Sequence, residues 1–388
     1  MRSFGPDGHN LLGENLMTYF SNFLRWCMIL LNGAVLDLKN LSNRQQKRWI
    51  GVDHARSFAI VMMVFFHASV DGCDGKEGWF VHAMSWYRMP ILFIVSGIFV
   101  VKTRDIFSYT AKRFKRLMLP YVAFKLAWII PLLFLGFGNF KEWLESFLLM
   151  NGNGSTQTHT WFIPPLFLAN VFAAGIWLLG CGRRNLILVI AVGLIAVGGS
   201  FMLYALHISN ANRLFMSLDL IPLLVGYVLL GAWLGSSLTW TDRMTSSFEH
   251  NSFRLVALFL ALLGLFVAYY AGWRVSLYSR ILPTNLLAAP VLALTAVALI
   301  FALSWRIPYV FERYFLLLGQ TSMFVFLYHY FLLRRLLWIF EECGMDLWSR
   351  VVLAATVPLI LLPLTMYALA RIHQWANGRI SSKIVYEV

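Results

Sequence analysis

Ten mostly apolar stretches, most of them about twenty residues long and joined by short polar loops, decide what this chain can fold into. They fall near 57–72, 87–101, 117–137, 161–180, 186–206, 217–236, 255–272, 284–304, 315–338 and 350–370. Inside a bilayer no water is present to hydrogen-bond the backbone, so segments of this length must cross as helices. The expected fold is therefore all-α: a polytopic membrane helical bundle of about ten transmembrane helices. The first two stretches are short when read strictly, and polar residues at their ends extend them into the interface. With 59% hydrophobic and 13% charged residues, the chain carries more apolar surface than one soluble core can hide. Its 32 Phe, 15 Trp and 15 Tyr suit the two membrane–water interfaces.

A formal net charge of +14 would suggest nucleic acid in a soluble protein. Here the basic residues lie in the loops between apolar runs, and no basic stripe with interleaved aromatics stands in a polar context. Nucleic-acid binding is excluded, and the charge reads as an orientation signal. With the segment before the first span placed in the cytoplasm, the inner loops hold most of the Lys and Arg, including Lys102, Arg104, Arg183, Arg184, Arg306 and Arg371. Both termini are then cytoplasmic, as an even number of spans requires. Cys27, Cys73, Cys181 and Cys343 are far apart, match no metal spacing and predict no disulfide framework. No metal site is expected.

Residues 1–49 read as an N-terminal extension and 50–375 as one membrane domain with short loops, followed by a cytoplasmic tail at 376–388. Within the extension, Leu16 to Leu36 is interrupted by Arg25 and Asn32 and suits an interfacial, amphipathic segment. The polar Gly-rich start predicts no cleavable signal peptide. No repeat and no Gly/Pro-interrupted pair of spans points to an inverted-repeat transporter. The longest outer loop, about 138–160, contains a flexible run from Asn151 to Gln157 that could cover an acceptor site.

Ionisable groups inside spans are costly, and each is a candidate for function. His67 follows the run FAIVMMVFF and lies 11 residues beyond Arg56. On a helix that is about 16 Å, which puts the imidazole near mid-bilayer if Arg56 marks the inner interface. The ring either hydrogen-bonds across helices or serves as a base working near neutral pH. Asp53 lies one turn before Arg56, as a surface ion pair or as an anchor beside a ligand. Arg113 and Arg116 are spaced to share one helix face at the inner edge of the third span. They either anchor the span or clamp a phosphorylated ligand, since guanidinium forks match phosphate oxygens. Ser96 and Gly97 allow close backbone approach in the second span. Arg88 opens that span and either snorkels or meets an acceptor. Lys125, about 12 Å into the third span, either snorkels or faces a cavity. His159 and Trp161 belong to an aromatic belt or stack on a sugar. His329, between Tyr328 and Tyr330, is a second intramembrane imidazole with the same alternatives as His67.

In order along roughly 50–370, these pieces resemble the acyltransferase-3 family of integral membrane O-acyltransferases. The run from Val52 to His67 (VDHARSFAIVMMVFFH) is similar to its first helix, and Arg88 to Gly97 (RMPILFIVSG) to its second. Arg113 to Pro120 (RFKRLMLP) is similar to its Arg-x-x-Arg segment before a proline. His159 to Leu166 (HTWFIPPL) and Phe326 to His329 (FLYH) resemble its looser later patterns. The Arg-Met-Pro opening and the His-x-Trp-Phe segment further resemble the branch that succinylates periplasmic glucans. The chain departs from the pattern in the extension 1–49, in Ser57 where the family often has Gly, and in Ile98 where it has an aromatic.

The resemblance implies a multi-pass enzyme of the bacterial inner membrane, an acyltransferase for groups other than aminoacyl groups. Acetyl or succinyl would pass from a cytoplasmic acyl-CoA, a donor substrate and not a permanently bound cofactor, to a hydroxyl of an extracytoplasmic or lipid-linked glycan. His67 would be the general base or a covalent acyl carrier, with Arg56 and Asp53 holding the donor or the helix in register. Arg113, Arg116, Ser96 and Gly97 would bind the donor. Arg88, His159, Trp161 and His329 would meet the acceptor. The expected partners are membrane lipid, acyl-CoA and the glycan, and a homo-oligomer is compatible with the sequence. Two other classes fit the same spans: a glycan or lipid transporter or flippase, and a non-catalytic sensor with His67 as a pH switch.

Overall fold

A computed structural model describes residues 50–72, 79–134, 147, 150, 158–180, 183–205, 214–239, 251–273, 288–302 and 309–376. Every regular element among these residues is helical. The chain divides into two units, one of residues 49–363 and one combining 1–48 with 364–388. The segment 1–49, the tail beyond Ala376 and the run Asn151 to Gln157 lie outside the described residues.

The first apolar stretch becomes α1 (Ile50–Gly72) and the second α2 (Trp79–Gly97), each starting well before its apolar stretch. A short 3₁₀ turn at Val100–Lys102 leads to α3 (Ile106–Arg113), whose first turn is capped by Asp105 accepting from the Ser108 amide at 2.7 Å. A π-helical turn, Phe114–Met118, joins α3 to α4 (Leu119–Phe134). A 3₁₀ turn at Thr158–Phe162 opens α5 (Ile163–Leu179), where Pro164 and Pro165 occupy first-turn positions that need no amide hydrogen. Then follow α6 (Arg184–Ala205), a 3₁₀ turn at Phe215–Leu220, α7 (Ile221–Thr239), α8 (Asn251–Tyr270) and α9 (Ala288–Ala302).

The stretch 315–338 is not one helix. It is divided into α10 (Tyr309–Gln320) and α11 (Ser322–Glu342). Thr321 between them leaves helical geometry, at φ −89° and ψ 7°, and its hydroxyl bonds back to the Leu317 carbonyl at 2.8 Å. Such back-bonding lets a threonine side chain compete with the backbone ladder and bend a helix. The last element is α12 (Leu347–Ala376).

Thr160–Leu179, Phe215–Ser236, Ser322–Glu342 and Leu347–Ile372 are long and apolar enough to cross a membrane. Exposed apolar side chains on α8, among them Phe259, Leu262 and Phe266, have no use in water and suit contact with lipid chains. The chain is a membrane protein.

Within residues 49–363, α1 packs on α2, α10 and α11, and α7 packs on α2, α5 and α6. The α2–α7 crossing depends on glycine. A Cβ on Gly97 would run into the Val228 carbonyl, and one on Gly231 into the Ile94 carbonyl. Without side chains there, the two backbones touch directly, as small residues permit in membrane bundles.

Candidate active site

α1 carries the first functional layer. Asp53 and Arg56 are one turn apart, with Nη1 of Arg56 3.8 Å from Oδ1 of Asp53. The Asp53 side chain is 2% exposed and that of Arg56 21%, so the pair faces the bundle and not open water. The Arg56 guanidinium also stands 5.1 Å from the Phe99 ring centroid, which ties α1 to the end of α2. At the next residue, the Ser57 hydroxyl lies 2.9 Å from the Asp53 carbonyl and against that of Phe315. The serine that stands where glycine was expected thus links α1 to α10.

His67 is half-buried further along α1. Its ring centroid is 5.4 Å from that of His329 on α11, and 5.4 Å from that of Tyr330. The sequence offered the two histidines as separate candidates, one for catalysis and one for the acceptor. The fold brings them together as a pair. His329 is fully buried, and its Nδ1 lies 3.0 Å from the Val325 carbonyl and 2.8 Å from the Phe326 carbonyl. Carbonyl oxygens only accept, so Nδ1 must carry the hydrogen and Nε2 is the basic nitrogen of the neutral ring. One turn outward of His67, the Tyr330 hydroxyl hydrogen-bonds the Asp71 carboxylate and again ties α1 to α11. Neither Asp71 nor Tyr330 announces itself in sequence, because the pairing is purely tertiary.

Aromatic rings surround the pair. Phe326 stacks edge-on with Phe162 at 4.4 Å, and Phe162 meets Phe93 at 6.2 Å, which joins α11, the turn before α5 and α2. On α4, Phe124 meets Tyr328 at 5.2 Å and Phe331 at 5.8 Å. Each such contact is worth roughly 0.5–1.5 kcal/mol beyond area burial. Arg88 does not snorkel. It is buried, with its guanidinium 3.2 Å from the centroid of Phe66, the neighbour of His67. Trp161 is 5% exposed, so it packs inside the bundle and offers no open face for a sugar. The side chain of His159 lies outside the described residues.

The C-terminal end of α3 holds a polar relay. Nε of Arg113 donates to the Tyr109 hydroxyl at 2.9 Å, and that hydroxyl donates to Oδ1 of Asn170 at 3.0 Å. Nδ2 of Asn170 donates to Oγ of Ser96 at 3.1 Å and to the Leu166 carbonyl at 2.8 Å. Nη2 of Arg113 donates to the Ser96 carbonyl at 3.0 Å and closes the ring of contacts. The direction is unambiguous: flipping the Asn170 amide would set its oxygen against the Leu166 carbonyl. Burial pushes the Tyr109 hydroxyl above its ordinary range and Arg113 pulls it partway back, so the phenol remains a donor at neutral pH. Asn170, fully buried on α5, is the member sequence reading missed; an amide within the apolar run IPPLFLANVF was the signal available.

Arg113 and Arg116 do not share a face. The spacing argument holds for an α-helix, but the π-helical turn at Phe114–Met118 is wider and rotates the second arginine away. Arg113 turns in and is half-buried, while Arg116 is exposed. Two of the five N–H donors of Arg113 are used in the relay, and no carboxylate among the described residues pairs with it. Its remaining donors suit an anionic group at the end of α3. Gly97 serves the α2–α7 contact, while Ser96 beside it joins the relay. No cluster of metal-ligating side chains occurs among the described residues.

Ser96 of the relay bonds to Phe93, Phe93 meets Phe162, Phe162 meets Phe326 and Phe326 meets His329, so relay, aromatic walls and imidazole pair are linked within residues 49–363. The comparison with curated proteins gives no match. A family model described as an acyltransferase domain matches residues 49–376, nearly the whole helical body. The chain belongs to the acyltransferase-3 family of membrane acyltransferases.

Proposed function

We propose that this protein is an O-acyltransferase of the bacterial inner membrane, with about ten spans and both termini in the cytoplasm. It takes an acyl group, acetyl or succinyl, from cytoplasmic acyl-CoA and transfers it to a hydroxyl of an extracytoplasmic or lipid-linked glycan. The observation that carries this reading is the imidazole pair, His67 and His329, held 5.4 Å apart within a helical bundle.

In this reaction His67 takes the proton from the acceptor hydroxyl as its oxygen attacks the thioester carbonyl carbon. The carbon–sulfur bond breaks, the ester forms, and the proton leaves with the coenzyme A thiolate. His329, fixed in one tautomer by two backbone carbonyls, orients His67 and steadies the imidazolium that forms. Arg113 receives donor phosphate at the basic edge, with Arg116 outside it adding field. Asp53 and Arg56 hold the inner half of α1 in register. Acyl transfer from labelled acyl-CoA by purified protein tests this. His67→Ala is expected to lower turnover by at least the roughly 10²-fold typical of a lost general base. Full transfer by that variant would overturn the assignment.

A further inference from the structure

Lys125 is used by nothing described so far. It lies on α4, 4% exposed, so it does not snorkel to an interface. Its only polar or ring interaction among the described residues is with the Tyr121 ring, whose centroid is 5.9 Å from Nζ. No carboxylate stands within ion-pair reach of it there. A buried ammonium is normally matched by an anion, because desolvating the charge costs several kcal/mol in real proteins. If the protein does not supply that anion, a ligand is the natural source.

The depth of Lys125 says which part of the ligand. Its neighbour Phe124 meets Tyr328 and Phe331, which flank His329 and Tyr330 on α11. Lys125 therefore stands at the level of the imidazole pair. Arg113 is twelve residues earlier, roughly 18 Å along the helix axis. The donor phosphates are claimed at that inner edge, so the anion near Lys125 belongs to the acyl end. Lys125 makes no hydrogen bond or ring contact with His67 or His329. It is set back from the atoms that react, which suits the far end of an acyl chain better than the carbonyl under attack.

We propose that Lys125 is a specificity residue that binds the terminal carboxylate of a dicarboxylic acyl group, so that the preferred donor is a half-thioester such as succinyl-CoA. This rests on the acyl-CoA reading above and selects among its donors.

The test is equilibrium binding of radiolabelled succinyl-CoA and acetyl-CoA to full-length protein in lipid nanodiscs, which needs no acceptor. Wild-type protein is expected to bind succinyl-CoA on the order of tenfold or more tightly than acetyl-CoA, as a desolvated charge contact implies. Lys125→Met, similar in volume and without the charge, should abolish the preference and leave acetyl-CoA affinity within about twofold. Lys125→Arg should keep it. Equal binding of the two donors by wild-type protein would overturn the inference and leave the acyltransferase reading standing, and this result does not depend on any variant folding. A Lys125→Met variant that weakens both donors alike would also overturn it. Binding of neither donor would sink the donor reading and this inference together.

Discussion

Replacing Asn170 with leucine keeps the branched shape and the number of side-chain heavy atoms and removes the amide that joins Tyr109 to Ser96. Three hydrogen bonds disappear, two to side chains at 3.0 and 3.1 Å and one to the Leu166 carbonyl at 2.8 Å. The losses are unequal. The Ser96 hydroxyl still donates to the Phe93 carbonyl at 2.8 Å, so it gives up only an acceptor role. The Tyr109 hydroxyl loses the group it donates to. Interhelical side-chain bonds in membrane proteins average about 0.6 kcal/mol, while a buried polar group left without its partner costs about 1–3 kcal/mol. Destabilisation of about 1–3 kcal/mol is therefore expected, most of it from Tyr109. The same change frees Tyr109 to turn, which removes the acceptor of Arg113 Nε and leaves only the Ser96 carbonyl to hold the guanidinium. Donor affinity should fall by roughly threefold to tenfold, about 0.6–1.4 kcal/mol. Unfolding in mixed micelles reads the first effect and coenzyme A thioester binding the second. Lost stability with unchanged donor affinity would refute the reasoning, because the relay would then be scaffold alone.

Gly97→Ala should cost at least about 1–3 kcal/mol, since the new methyl meets the Val228 backbone carbonyl and not a movable side chain. Unchanged unfolding would show that α2 and α7 do not touch there. Arg113→Ala should weaken donor binding by roughly tenfold or more, and Arg116→Ala by about threefold or less, measured by the same binding assay. Equal losses from both would contradict the separation that the π-helical turn produces.

Much of this was legible in sequence because the bilayer permits so few backbone solutions. Among the described residues, each apolar stretch lies largely on helix, although the one at 315–338 is broken where Thr321 bonds back to Leu317. His67 and Ser96 stood out because polar groups are expensive in apolar runs, and Asp53, Arg56 and Arg113 because of their spacing at the ends of spans. What escaped depends on three dimensions or on local helix type. Nothing in the run RFKRLMLP says that one turn widens and separates Arg113 from Arg116. Gly97 could be read as binding the donor or as packing, and the backbone of α7 shows that it packs. His329 and Asn170 become meaningful through partners far away in the chain, His67 in one case and Tyr109 with Ser96 in the other. The buried position of Lys125 follows from the rings around α4 and not from its place in a hydropathy pattern.

A double-mutant cycle on His67→Ala and His329→Ala, read as kcat/KM for acyl transfer, asks whether the two imidazoles work as one unit. If they do, either single change removes nearly all that the pair contributes, and the double variant is little worse than His67→Ala alone. Losses that multiply independently, or a fully active His329→Ala variant, would contradict the coupled pair.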